Sequence, residues 1–114
     1  MKLEKYNKYH NKPVEVDGIR FASQKEANRY KELMLLKRAG EIKWIIPHPE
    51  YAVFAGVPDK PETHKRVFTY IADFKYMDKQ GKIHVEDVKG VRTQVYKLKK
   101  RIIEALYHIK IEEV

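Results

Sequence analysis

The sequence predicts an α/β domain in which a mixed central sheet is flanked by two helices. Three patterns lead there. A stretch beginning near residue 23 has helix start and stop signals, residues 66–89 alternate as a hairpin, and a second amphipathic stretch from residue 92 leads into alternating residues. A chain of 114 residues suffices for one core and is too short for two.

Residues 1–12 carry Lys2, Lys5, Lys8 and Lys12 between Tyr6, Tyr9 and His10, without a core-forming period. They read as a flexible basic arm, suited equally to a solvated tail and to phosphates and exposed bases. The domain proper spans 13–114. "PVEVDGIRF", 13–21, alternates about Asp17-Gly18, a dipeptide that favours a tight primed turn, and predicts a short N-terminal hairpin. Ser23 followed by Glu26 is a capping box. Ala27, Tyr30, Leu33, Met34 and Leu36 give an apolar stripe, and Gly40 stands where a helix would end, so a helix is expected over 23–39.

"IKWIIPHPEYAVF", 42–54, is β-branched and aromatic. Pro47 and Pro49 imply a bulge or an edge position there. Trp44, Ile46 and Tyr51 within it are suited to a core or to an interface. Residues 55–65 form a loop by their Gly, Pro and charge content. Strands are expected over 66–77 and 82–89. A helix follows over 92–106, with Val95, Leu98, Ile102 and Ala105 or Leu106 on its buried face, and "YHIKI", 107–111, alternates as a last strand. After the first hairpin the order is therefore α-β-β-β-α-β.

The 24 Lys and Arg exceed the 16 Asp and Glu to give a net charge of +8. With a pI near 9.6, such a surplus favours polyanionic partners, nucleic acid first among them. The absence of cysteine removes disulfides, thiolate metal sites and Cys nucleophiles, so any metal must be held by oxygen or imidazole. The five histidines, His10, His48, His64, His84 and His108, form no close metal pair and read as ordinary surface or strand residues. The N-terminus lacks the apolar run of a signal peptide, and no segment approaches the roughly 20 apolar residues of a membrane span. A cytoplasmic protein with no membrane partner and no small-molecule cofactor is expected.

The hairpin "YIADFKYMDKQGKIHVEDVKG", 70–90, carries acids where a strand buried on both faces would be apolar. A three-residue loop Lys79-Gln80-Gly81, with Gly81 left-handed, pairs Asp78 with Lys82 and sets Asp73 opposite Asp87. Alternation then directs Asp87 and Lys89 to the face of Ile83 and Val85, and His84, Glu86 and Val88 to the other. A two-residue loop would oppose Asp73 to Glu86 instead, so either acid can be the second of the pair. Like charges opposed on a sheet are destabilising unless a cation lies between them, although exposed acid–lysine pairs are also common surface features. Carboxylate oxygens without thiolates suit Mg²⁺, with Mn²⁺ as a substitute.

An acid on one strand and Asp-x-Lys on the next, after a helix bearing a glutamate and before a helix and strand, resembles the PD-(D/E)xK nuclease superfamily. Over 20–112 the element order is similar to that of archaeal-type and phage-encoded Holliday junction resolvases. The resemblance implies a restriction-endonuclease-like αβββαβ core and catalytic residues Glu26, Asp73, Asp87 and Lys89. It implies a metal bound by Asp73, Asp87 and the backbone carbonyl of Val88, with Glu26 or Glu86 as a further ligand. Ala72 stands where the superfamily's eponymous Pro would be, and Gln94 is similar to a polar residue near the site in some branches.

The activity so implied is Mg²⁺-dependent hydrolysis of phosphodiesters in branched DNA by paired symmetric cuts, leaving 5′-phosphate and 3′-hydroxyl ends. Two symmetric cuts require a homodimer. Lys5, Lys8, Lys12, Lys25, Arg29, Arg92 and Lys97 are the expected DNA contacts, any of which can equally be a solvated charge. The competing expectations are a restriction or transposon end-cleaving endonuclease, a non-catalytic nucleic-acid-binding module with structural acids, and a protein-interaction domain with a basic face.

Overall fold

The structure, a computed structural model, describes residues 12–88 and 92–114. β1 (Val14–Val16) and β2 (Ile19–Phe21) form the predicted hairpin. Asp17 and Gly18 make its turn with φ of 54° and 78°, the left-handed pair that a primed turn requires. Ser23 then caps α1 (Gln24–Arg38), its Oγ accepting the Glu26 N–H at 3.2 Å. The helix ends at Gly40, where φ is 83° and the N–H reaches the Lys37 carbonyl. Its inner face buries Ala27, Tyr30 and Leu33 against Phe21, Ile42, Phe74 and Tyr76.

The remaining elements are β3 (Ile42–Pro47), β4 (Glu50–Ala55), β5 (Lys65–Ile71), β6 (Phe74–Asp78), β7 (Ile83–Asp87), α2 (Gln94–Tyr107) and β8 (Ile111–Glu113). The central sheet runs β3-β6-β7-β8, with β7 and β8 parallel and the other pairs antiparallel, so it is mixed as the sequence predicts. A single-turn 3₁₀ helix at Pro61–Thr63 interrupts the loop between β4 and β5.

Two of the predicted strands are each broken in two. Residues 42–54 divide at His48-Pro49, and 66–77 divide at Ala72-Asp73. The breaks lie side by side and are cross-linked, the His48 N–H donating to the Asp73 carbonyl at 2.9 Å and the Ala72 N–H to the Pro49 carbonyl at 3.0 Å. His48 adopts φ 54°, and Pro49 has no N–H to offer a continuing ladder. Beyond the break, β4 and β5 form their own antiparallel ribbon. Its inner face places Tyr51, Val53 and Tyr70 in a second core with Val85, Ile103 and Ile111, on the opposite side of the sheet from α1.

α2 departs from expectation in both bounds and face. Thr93 caps it through the Tyr96 N–H at 3.0 Å. The helix continues through Tyr107, so the final strand begins at Ile111 rather than 107. His108, at φ 54° and ψ 45°, supplies the left-handed stop. Tyr107, the one residue added beyond the expected end, packs its ring on Tyr51 and donates its hydroxyl to the Ala52 carbonyl. The fully buried residue is Ile103, whereas Val95, Leu98 and Leu106 are 61%, 57% and 55% exposed. Among the described residues no helix is long and apolar enough to cross a membrane.

Candidate acidic site at the ends of β6 and β7

The turn between β6 and β7 fixes the register. The Asp78 N–H donates to the Lys82 carbonyl, and the Gly81 N–H to the Asp78 carbonyl, with Gly81 at φ 89°. Phe74 pairs with Glu86, Tyr76 with His84 and Met77 with Ile83, the register of the three-residue loop. Regular pairing stops one step short of Asp73, whose N–H donates to the Glu86 carbonyl at 3.1 Å. Its side chain still reaches the facing strand. Oδ2 of Asp73 accepts the Val88 N–H at 2.6 Å, which brings this carboxylate to the residue that follows Asp87.

Asp87 is completely buried. It lies beside Glu113 in the parallel β7–β8 pair, and its carbonyl accepts the Val114 N–H at 2.9 Å. By alternation it shares the α2 side of the sheet with Val85, while Glu86 shares the α1 side with His84. Glu86 is 1% exposed and committed to an internal network. Arg29 donates to it through Nε at 2.8 Å and Nη2 at 2.7 Å, and the Tyr76 hydroxyl donates at 2.6 Å. Glu86 is thus committed to this internal network, on the opposite side of the sheet from Asp87. Arg29, expected on DNA, is instead the counterion of Glu86. That hydrogen bond, against the pull of burial, raises its pKa.

Glu26 accepts the Ala22 N–H at 3.4 Å through Oε1, while its own N–H is held by Ser23, the pattern of a helix start. Among the described residues no group of three or more His, Asp or Glu gathers as a metal site, so Glu26 does not form one cluster with Asp73 and Asp87. Lys89, Lys5 and Lys8 lie outside the described residues. Lys12, Lys25 and Lys97 are exposed. A shallow cleft of about 220 Å³ between α1 and the end of β7 is lined by Lys25, Asn28, Arg29, Glu32, Val88 and Val114. The carboxylates of Asp73 and Asp87 and the carbonyl of Val88 are all oxygen donors by their chemistry. That fits a Mg²⁺ ion, which takes one or two protein carboxylates and completes its shell with water.

Sequence reasoning missed two groups. Glu113 accepts from Arg92 Nε at 2.7 Å and the Tyr96 hydroxyl at 2.8 Å, with Lys100 Nζ at 3.4 Å. Tyr96, then Arg92 and Lys100, hold the Glu113 carboxyl down at about 2. Burial and the hydrogen bond to Glu113 push the Tyr96 phenol up, and the charge of Asp87 adds to that. The available signal was the acid pair Glu112-Glu113 directly after the strand expected over 107–111. His84, expected to be unremarkable, places Nε2 at 2.8 Å from Asp78 and Nδ1 at 2.8 Å from Glu112, with its ring stacked on Tyr76.

No curated protein and no solved structure matches the chain. Residues 6–112 match the family described as a protein of unknown function, DUF1064, and the chain belongs to that family.

Proposed function

We propose that the protein is a metal-dependent DNA endonuclease that cuts four-way or other branched junctions by paired symmetric hydrolysis. The observation that carries this is the hydrogen bond from the Val88 N–H to Asp73, which draws the acid at the start of β6 to the Asp87-Val88 end of β7. The mixed β3-β6-β7-β8 sheet between α1 and α2 supports the restriction-endonuclease-like core that the sequence resemblance implies.

Asp73, Asp87 and the Val88 carbonyl would hold Mg²⁺, or Mn²⁺ in its place. A divalent ion there supplies Lewis-acid polarisation of the scissile phosphate and lowers the pKa of a water. Lys89, by the same resemblance, would direct an attacking water in line and meet the negative charge that develops on the phosphate oxygens. A bond forms from water oxygen to phosphorus as the bond to the 3′-oxygen breaks, leaving a 5′-phosphate and a 3′-hydroxyl. Lys12, Lys25 and Lys97 give phosphate contacts that position the strand without reading its sequence. Two cuts need two sites, and the exposed Val95, Leu98 and Leu106 of α2 are the apolar face to which this reading assigns the homodimer contact.

A non-catalytic nucleic-acid-binding module is the second reading, favoured by the lack of a third clustered acid among the described residues. Incubation of a labelled four-way junction and a linear duplex with Mg²⁺ or with EDTA separates the two. Metal-dependent paired nicks in the junction support the nuclease, and metal-independent binding without nicks supports the module.

A further inference from the structure

We infer that Glu113 is a positioning residue that holds Arg92 as a phosphate-binding fork beside Asp87, with Tyr96 as the third member of the unit. This deepens the phosphodiester reading and rests on it for the nature of the ligand.

Tyr96 and Lys100 lie four residues apart on one face of α2, and Arg92 stands immediately before the Thr93 cap that starts the helix. All three direct a donor at the same carboxylate, Arg92 to Oε1 and Tyr96 and Lys100 to Oε2. The strand register then fixes where they converge, because Glu113 is the β8 partner of Asp87. Arg92, just ahead of α2, and the Tyr96 phenol on its first turn are thereby anchored to the strand partner of Asp87.

The manner of the Arg92 contact gives it a use beyond a clasp. Glu113 engages Nε, one of five guanidinium N–H donors, and the Arg92 side chain remains 52% exposed. The two terminal amino groups are the pair that fits the oxygens of a phosphate bidentately. An arginine held by Nε keeps that fork in one orientation. Without Glu113 the long side chain would sample many rotamers and lose part of its contact when phosphate binds.

Charge and positioning predict opposite signs. Removing an acid from a site for a polyanion should tighten binding if charge alone matters, and should weaken it if the acid orients the arginine. The test measures binding of a labelled four-way junction in EDTA as a function of salt, for the full chain and for Glu113→Ala, Glu113→Gln, Arg92→Ala and the Glu113→Ala/Arg92→Ala double variant. Thermal melts verify folding of each. Glu113→Ala and Arg92→Ala are each expected to weaken binding about five- to tenfold, with the Arg92→Ala salt slope lower by about one. Glu113→Gln, which keeps an oxygen acceptor, should stay within about twofold of wild type, and the double variant should match Arg92→Ala because the two act as one unit.

Equal or tighter binding by Glu113→Ala, additive losses in the double variant, or no DNA binding by the wild type would overturn the inference. If Glu113→Ala does not fold, Tyr96→Phe replaces it. That variant is expected to weaken binding about twofold in the wild-type background and not at all in Arg92→Ala, whereas equal losses in both backgrounds would count against the unit. A wild type that never cleaves, but shows this coupling, would remove the nuclease assignment and leave the phosphate fork standing. A wild type that cleaves with additive losses would do the reverse.

Discussion

Arg29 on the first helix grips Glu86 in the middle of the sheet through two parallel hydrogen bonds of 2.8 and 2.7 Å, although 57 residues separate them. Tyr76 satisfies the same carboxylate from the neighbouring strand. This network pins α1 to β7 immediately before Asp87. Arg29→Met should leave a buried carboxylate without its counterion and cost about 3–5 kcal/mol in urea unfolding. Arg29→Met combined with Glu86→Leu should cost less than the single change, because no charge is stranded. A loss under about 1 kcal/mol for Arg29→Met would show that the pair contributes little.

His84 links three strands, bonding Asp78 on β6 and Glu112 on β8 from its place on β7, over the ring of Tyr76. Burial lowers its pKa, but the hydrogen bonds to Asp78 and Glu112 outweigh that and raise it from the usual 6.5. The folded form therefore binds the proton more tightly than the unfolded chain. The resulting stability is complete below the unfolded pKa and is lost as pH rises through the higher folded value. The melting temperature of the wild type should fall between pH 6 and pH 9 by more than that of His84→Gln. Parallel profiles for the two proteins would contradict this.

Ser23 and Glu26 should separate on mutation. Ser23→Ala removes the cap acceptor and is expected to lower stability by about 1 kcal/mol with cleavage unchanged. Glu26→Gln retains a side-chain oxygen for the helix start. It should cost less stability and, if the resemblance extends to this residue, reduce the single-turnover cleavage rate at least tenfold. Unchanged cleavage by Glu26→Gln would assign Glu26 to the cap alone.

The apolar stripe of α2 should govern association. Sedimentation of the wild type is expected to give twice the 13.6 kDa chain mass, and Leu98→Glu to give the chain mass with an unchanged circular dichroism spectrum. A monomeric wild type at the concentrations that support paired cleavage would dispose of this interface.

Local chemistry made much of the fold legible. Asp17-Gly18, Gly40 and Gly81 mark left-handed backbone that few residues adopt, Ser23 marks a side-chain cap, and the structure has turns or helix ends at all of them. Gly81 also set the register that separates Asp87 from Glu86. What the sequence withheld depends on distant neighbours. The break at Ala72-Asp73 is fixed by hydrogen bonds to His48 and Pro49, so no local signal within 66–77 marks it. Burial of Glu86 depends on Arg29 and Tyr76, and the role of Glu113 on a helix that precedes it in the chain. The apolar stripe of α2 was visible, but its period could not say that Ile103, one position beyond Ile102, would face the sheet.

Cleavage of a labelled four-way junction by Asp73→Asn, beside the wild type and with Mg²⁺ present, tests the proposed chemistry most directly. Asparagine keeps an oxygen to accept the Val88 N–H, so the fold and junction binding should persist while the negative charge is lost. The expected result is paired symmetric nicks by the wild type, abolished by EDTA, and a rate at least a hundredfold lower for Asp73→Asn at similar junction affinity. Equal cleavage by the two proteins, or junction binding with no cleavage by the wild type under Mg²⁺ or Mn²⁺, would contradict a metal site at Asp73 and Asp87.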